Sequence, residues 1–502
     1  MRICLINPTM TISTFLNNEQ AFVHLGIGYM AAVLEENGFK VDIIECALQG
    51  VAGAELLRKI TDQKYDAVGF SIYYFNYLNT SRLIGKIKAS NPSIFLFAGG
   101  YFPTLNYTYL LNAVRGIDCC VLGEGEYTSL ELMNAISQSK DWRHVSGIAY
   151  KQGNTVMKTD IRPLVPNLDI LPFPKRVYLY KDNVASIIAS RGCYQNCSFC
   201  GLRSFLDGFL GDNVRMRSVE NVIDEMEYLV KECNVERIYF QDNNLLTNRL
   251  WLDKFYNSLK ERDVKVKFHI YARTNNIYDN KDILMELKSI GLDCIFVEFG
   301  SFVQRQIDFY NKNTTSSNVL KGFQVLAELG INYIMGLVLL DPFVTISEIL
   351  SNIETMKSIE YYKHAFYHQT PVSCLMPLYP IHDTPFYKYM EKEGLIEDDK
   401  TTKYSFIDAD VIIFSDTMVQ WKQKVIATIN KLDFHFTNEA QWDSELINRL
   451  IIKREQLLKT DLEFLESLCI EIINNNKSNE NLRNLLKKWE TYLNLINENI
   501  PS

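Results

Sequence analysis

The chain has 502 residues, 47% of them hydrophobic, with 28 tyrosines and 28 phenylalanines. That supplies full cores for two or three domains and excludes a disordered or fibrous protein. The formal net charge of −8 argues against a broad nucleic-acid or anionic-membrane surface. No apolar run approaches the roughly 18 residues that cross a bilayer. The opening Met1-Arg-Ile-Cys-Leu-Ile-Asn-Pro8 reads as a first strand and not as a signal peptide, so a cytoplasmic protein without membrane insertion is expected.

Residues 1–150 alternate short apolar runs with helical segments. Strands are expected at Ile3–Asn7, Lys40–Glu45, Ala67–Ser71, Ile94–Ala98 and Cys119–Leu122. Helices are expected at Gly28–Asn37, Ala54–Thr61, Leu78–Ala89 and Thr128–Ser137. This order predicts an α/β domain over 1–145 with a doubly wound parallel sheet. Ligands of such sheets bind at the carboxyl ends of the strands. A linker is expected over 146–184, with a small hairpin at Gln152-Gly153-Asn154 and a proline-rich stretch over 162–174.

A second alternating block, 185–380, carries strand candidates Ala185–Ser190, Arg237–Gln241, Lys267–Ala272, Cys294–Phe299, Asn332–Leu339 and His368–Leu375. Six strands with intervening helices predict a partial (β/α)6 barrel, whose working groups sit where strands end and loops begin. The remaining residues, 381–502, form a helical region, with a helical hairpin from Ile447 interrupted at Asn474–Asn481. Trp442, Phe464, Leu465 and Trp489 are expected to make a packing face there.

Of 11 cysteines, most stand singly in apolar segments. Cys4, Cys46, Cys294 and Cys374 read as buried small hydrophobes, and disulfides are not expected in a reducing compartment. The exception is Ser190-Arg-Gly-Cys193-Tyr-Gln-Asn-Cys197-Ser-Phe-Cys200-Gly, directly after a strand. Thiolates spaced C-x3-C-x2-C can hold three corners of a 4Fe–4S cubane from one loop, leaving the fourth iron open. A structural zinc loop, the rival reading, would want four N/S ligands in paired spacing.

At these residues the chain resembles the radical S-adenosylmethionine (SAM) superfamily. The resemblance implies that SAM chelates the open iron and is cleaved to a 5′-deoxyadenosyl radical by one electron from an external flavodoxin- or ferredoxin-like reductant. It also implies SAM contacts from Phe199, between the last two cysteines, from Gln241 and Asp242 at the end of the second barrel strand, and from Arg273 at the end of the third. Glu298 and Ser301 at the end of the fourth strand and Gly336 in the fifth complete that set. Many relatives read Glu-Ser where Phe299-Gly300 intervenes here. Glu298 and Arg273 read equally well as halves of a structural ion pair. Met376–Pro385, with Asp383 before Thr384-Pro385, reads as a structural turn.

The first domain narrows the branch. Gly99-Gly100 closes its fourth strand, and Gly123-Glu-Gly-Glu126 closes its fifth and opens a helix. Glycines there admit close backbone approach to a ligand, while two glutamates disfavour a bare phosphate. Ser71, Tyr73, Gly99, Gly100, Gly123, Glu124, Gly125 and Glu126 together resemble the cobalamin site of the domain that precedes many radical SAM barrels. The cobalt-ligating Asp-x-His-x-x-Gly motif is missing, because Phe22 and Ile27 flank His24 in its place. His24 is expected to start a helix or pack. The resemblance implies three cofactors, a 4Fe–4S cluster, SAM and cobalamin, and a methyltransferase acting on a small molecule or peptide at an unactivated carbon or at phosphorus. Rival outcomes are cyclisation, ring rearrangement or epimerisation on the same cofactors, and a non-enzymatic metal-binding or regulatory module. No catalytic acid or base stands out.

Overall fold

The computed structural model describes residues 1–9, 24–177, 183–398, 403–437, 444–498 and Ile500. Trp442 and Phe22 lie outside the described residues. The chain divides into two compact units, Met1–Tyr194 with Cys200–Asp242, and Gln195–Phe199 with Asn243–Ser502.

In the first unit, β1 (Arg2–Asn7), β2 (Lys40–Glu45), β3 (Ala67–Ser71), β4 (Phe95–Gly99) and β5 (Cys119–Val121) are parallel, in the order β2-β1-β3-β4-β5. Their Val/Ile/Leu/Phe runs are buried on both faces, as parallel strands under two helix layers must be. Cys4, Ile6, Val68, Phe70 and Leu96 enter one core, and Ile3, Leu5, Phe97 and Val121 the other. The strand order reverses direction between β1 and β3, which opens a crevice at their carboxyl ends. The expected hairpin forms, but it belongs to this sheet: β6 (Ile148–Gln152) and β7 (Thr155–Lys158) extend it antiparallel beyond β5. A helix at Tyr101–Ala113, not anticipated from the sequence, follows β4. The same unit holds the parallel pair β8 (Val184–Ile187) and β11 (Arg237–Phe240), and a short antiparallel pair, β9 (Ser190–Gly192) with β10 (Val214–Met216).

The second unit holds three parallel strands, β12 (Lys267–Arg273), β13 (Leu292–Gly300) and β14 (Asn332–Leu337). The expected sixth barrel strand at His368–Leu375 is not a strand. Its place beside β14 is reduced to one parallel bridge, Tyr333 with Ala365, and Val372–Cys374 is a 3-10 turn. Hydrogen bonds from distant parts of the chain take up this segment, and Pro371 has no N–H to give a ladder. The Gln369 side-chain carbonyl takes the Met335 N–H (2.7 Å) that a sixth strand would take. Asp461 accepts from the Ser373 N–H (3.0 Å) and hydroxyl, and Arg454 donates to the Gln369 carbonyl (2.8 Å). Two parallel strands of the first unit and three of the second therefore form in this block among the described residues.

The C-terminal helices are Ala409–Thr437, Ser444–Ile473 and Asn479–Asn497. Trp421 stacks on Phe464 at 4.3 Å and donates to Asp461 (2.9 Å). Phe464 and Leu465 are buried, and Trp489 is half-buried beside Tyr492, so the expected packing face forms at these three positions. The Asn-rich break falls between the last two helices, where Ser478 caps the third. Thr384 caps the helix Pro385–Lys392, in keeping with a structural turn. No helix among the described residues is long and apolar enough to cross a membrane.

Candidate functional sites

The stem of the cysteine loop is fixed by backbone geometry. Gly192 has φ +99° and pairs with Val214, and a Cβ there would overlap the Asn213 carbonyl, so only glycine fits immediately before Cys193. Asp242, just past β11, accepts from the Ala189 N–H (3.0 Å) and the Ser190 hydroxyl. Burial pushes its carboxyl up to about 6. Asp242 was expected to contact SAM, but both of its oxygens are engaged inside the protein, where they brace the start of the loop. Gln241 donates to the Ser186 hydroxyl (3.3 Å). Cys200 stands at the start of the helix Gly201–Leu206.

The middle of the loop, Gln195–Phe199, is moulded by residues 309–312, which carried no motif in the sequence. The Ser198 N–H donates to the Tyr310 carbonyl (2.9 Å) and its hydroxyl to the Phe309 carbonyl (2.9 Å). Asn311, at φ +52°, donates its amide to the Asn196 carbonyl (2.7 Å). The only available signal was the pair Asn311 and Asn313, since asparagine tolerates the left-handed region both adopt. Phe199 meets Tyr310 edge-on at 5.4 Å, and the buried Lys312 ammonium lies 5.1 Å from the centre of the Phe199 ring. Lys312 also lies 3.7 Å from the Glu298 carboxylate.

Cys193, Cys197 and Cys200 are partly exposed, whereas Cys4, Cys46, Cys119, Cys120, Cys294, Cys374 and Cys469 are buried. Burial pushes the Cys46 and Cys374 thiols up to about 12, which suits inert packing and not ligation. Among the described residues no three His, Cys, Asp or Glu side chains stand close enough to hold a metal ion. The donor chemistry of the loop, three accessible thiols without a fourth, nevertheless fits a cluster with one open iron.

In the second unit the ends of β12, β13 and β14 place Arg273, Glu298 and Gly336 in one row. Arg273 is buried. It donates to the Lys312 carbonyl through one nitrogen, and its other terminal nitrogen has no partner. Glu298 thus pairs with Lys312 and not with Arg273. A Cβ on Gly336 would crowd Phe296 at 3.0 Å and the Glu298 carboxyl carbon at 3.3 Å. Ser301 was expected near SAM, but its buried hydroxyl is engaged by Gln306 (2.7 Å) and Asn352 (3.0 Å) and works within the fold.

At the β1/β3 crevice of the first unit, Asn7 donates to Glu45 (2.7 Å), which also accepts the His24 N–H (2.8 Å). The His24 ring caps the helix Leu25–Glu36 by accepting the Ile27 N–H at Nδ1 (3.1 Å). Its Nε2 lies 2.8 Å from the Tyr73 hydroxyl and 2.9 Å from Ser71 Oγ. Burial lowers its pKa to about 4. The helix-start role expected of His24 is therefore what the structure shows. Gly100, at φ +101°, turns the chain beside Ser71, and a Cβ on Gly123, at φ +75°, would overlap the Phe209 ring.

Glu124 and Glu126 were expected to face cobalamin, but arginines take their carboxylates. Glu124 accepts from Arg215 (2.8 and 2.9 Å), Arg191 (3.1 Å) and the Val165 N–H (2.7 Å). Glu126 accepts from Arg191 (2.6 Å) through one oxygen, and its other oxygen is buried without a partner. Burial alone would raise the Glu124 pKa; the Arg215 hydrogen bonds and the Arg191 charge outweigh it and hold the carboxyl below its usual range. Gly125 begins the helix that follows.

Comparison with known proteins agrees with this geometry. The B12 binding domain family matches residues 17–133, and the Radical SAM superfamily matches residues 187–356. The chain is 25% identical over 391 residues to an uncharacterized methyltransferase of Pyrococcus horikoshii, covering 76% of this chain and 82% of that protein. It is 29% identical over 328 residues to an anaerobic magnesium-protoporphyrin IX monomethyl ester cyclase of Rubrivivax gelatinosus, covering 62% of this chain and 58% of that protein. Among solved structures, the cobalamin-dependent SAM radical enzyme OxsB, with aqua-cobalamin and SAM bound, matches with a TM-score of 0.77 at 17% identity, over 99% of this chain and 80% of its own. The radical SAM methyltransferase TsrM from Kitasatospora setae matches with a TM-score of 0.59 at 14% identity, over 81% and 83%. At these identities the two structures establish the fold.

Proposed function

We propose that this chain, a member of the cobalamin-binding branch of the radical SAM superfamily, is a methyltransferase acting at an unactivated carbon or at phosphorus. The observation that carries this reading is one chain holding both a glycine-closed β2-β1-β3-β4-β5 sheet and a three-thiol loop held by its own strand ends. In it the cluster and SAM supply the radical that activates the substrate, and cobalamin supplies the methyl group.

Cys193, Cys197 and Cys200 would hold the cluster. Phe199, Gln241, Arg273, Glu298 and Gly336 would line the SAM site, while Asp242 and Ser301 hold its walls from within. Ser71, Tyr73, Gly99, Gly100, Gly123 and Gly125 would face cobalamin, and Glu124 and Glu126 would lock the arginines beside it. An external one-electron reductant of flavodoxin or ferredoxin type and a small-molecule or peptide substrate complete the set. A cytoplasmic site of action goes with the reducing conditions this chemistry needs.

A cyclisation on the same cofactors is the second reading, favoured by the cyclase relative. Anaerobic turnover with methyl-labelled SAM, read by mass spectrometry of candidate substrates, separates the two. Label in the product supports methyl transfer. 5′-Deoxyadenosine formed beside an unlabelled, dehydrogenated product supports cyclisation, and no SAM cleavage by iron-loaded protein refutes both.

A further inference from the structure

The hydrogen bonds around His24 fix where a proton must point. Nδ1 accepts the Ile27 N–H, so it carries the lone pair, and a neutral ring then bears its one proton on Nε2. Nε2 can therefore only donate, and its two neighbours are the hydroxyls of Ser71 and Tyr73. Neither hydroxyl can donate back to Nε2, so the Ser71 and Tyr73 protons both point away from the ring. Among the described residues neither hydroxyl has a further acceptor. Ser71 is buried at the end of β3, whereas Tyr73 keeps partial exposure. The Nε2 proton faces both hydroxyl oxygens, and the Tyr73 proton, turned away from the ring, is left for an acceptor in the crevice at the β1/β3 strand ends.

We propose that His24 is a positioning residue that turns the Tyr73 hydroxyl proton toward an acceptor oxygen of a bound corrinoid, an inference that rests on the cobalamin reading above. An imidazole absent from cobalt is on this view still part of the cobalamin site, acting through Ser71 and Tyr73. The acceptor is an amide carbonyl of the corrin side chains or a phosphate oxygen of the nucleotide tail.

The test is equilibrium titration of the full-length chain with hydroxocobalamin and, separately, with diaquacobinamide, which keeps the amides and lacks the nucleotide. Tyr73→Phe should weaken hydroxocobalamin binding about five- to tenfold, the worth of one directed hydrogen bond. His24→Asn keeps a good helix cap but cannot reach the hydroxyls, so it should melt close to wild type and weaken binding equally. The double variant should lose no more than either single one, because both act through one bond. A parallel loss for cobinamide assigns the acceptor to an amide; unchanged cobinamide binding assigns it to the phosphate. Wild-type affinity in folded His24→Asn, or additive losses in the double variant, overturns the proposal. A folded wild-type chain that binds neither corrinoid overturns the cobalamin reading itself.

Discussion

Arg215 and Glu124 face each other through two hydrogen bonds, Nη2 to Oε1 at 2.8 Å and Nη1 to Oε2 at 2.9 Å. This pair ties the loop after β5 to the β9/β10 hairpin that leads into Cys193. Both side chains are nearly buried, at 4% and 11% exposure, so removing one partner strands the other's charge. Glu124→Gln should destabilise the first unit by about 3–5 kcal/mol. The pH sign follows from the depressed folded-state pKa of Glu124. The pair's contribution is complete above the ordinary glutamate value of 4.5 and disappears as pH falls below it. Melting curves of both proteins from pH 7 down to 3 should therefore converge at the acid end. A constant gap between them would show that Glu124 acts by packing alone.

Asp242 has the opposite sign. Its folded-state carboxyl is raised by burial to about 6 from 3.8, so the protonated form is favoured inside the fold. Stability from this group is full below pH 3.8 and is lost as pH rises through 6. Asp242→Asn should remove that slope and leave the fold no less stable at pH 7.5, because an amide can still accept the Ala189 N–H. Asp242→Ala leaves that N–H and the Ser190 hydroxyl without an acceptor, and should cost about 1–3 kcal/mol. Cluster content after anaerobic reconstitution should follow the same order, with Asn near wild type and Ala reduced. Equal iron in both variants would separate Asp242 from the cysteine loop.

Gly99 and Gly123 both close strands, but only one gives a clean test of the ligand. A Cβ on Gly99 meets Val121 at ordinary contact, 3.7 and 3.8 Å. Gly99→Ala should therefore fold normally, and any loss of hydroxocobalamin binding would report on the ligand's own approach. At Gly123 the positive φ and the Phe209 ring both oppose a side chain. Gly123→Ala should lower the melting temperature as well as the affinity. Trimming the ring with Phe209→Ala should recover part of the Gly123→Ala stability loss, whereas failure to recover any would put the cost on φ alone.

The strands of the first sheet were legible because each is a short apolar run buried on both faces, and the cysteine loop because its spacing has few chemical uses. Partners distant in sequence were not legible. Glu124 meets Arg215 across 91 positions and Glu126 meets Arg191 across 65, so two glutamates at a helix start read as ligand-facing until the fold brings arginines to them. The sixth barrel strand misled for a related reason. Only Val372, Cys374 and Leu375 are apolar in that stretch and Pro371 interrupts it, while Gln369 caps Met335 and Asp461, 88 residues away, holds Ser373 in a turn. A weak local pattern thus met hydrogen bonds from distant parts of the chain that favour a turn. Residues 309–312 escaped because backbone carbonyls do most of their work on the cysteine loop, and carbonyls leave no mark on side-chain identity.

Arg273 offers the sharpest separation of stability from binding. It is buried, one terminal nitrogen has no partner, and the nearby carboxylate of Glu298 is paired with Lys312 instead. A buried cation without an anion is a burden on the fold, and an apolar replacement of similar length relieves it. Arg273→Met should accordingly melt within a few degrees of wild type, its loss limited to the bond to the Lys312 carbonyl. If the free nitrogen waits for the carboxylate of SAM, the variant should bind S-adenosylhomocysteine at least about tenfold more weakly. It should bind 5′-methylthioadenosine, which has no carboxylate, as well as wild type does. Cluster iron and cobalamin binding should not change. A large drop in melting temperature with both nucleosides bound normally would instead make Arg273 a structural residue of the barrel.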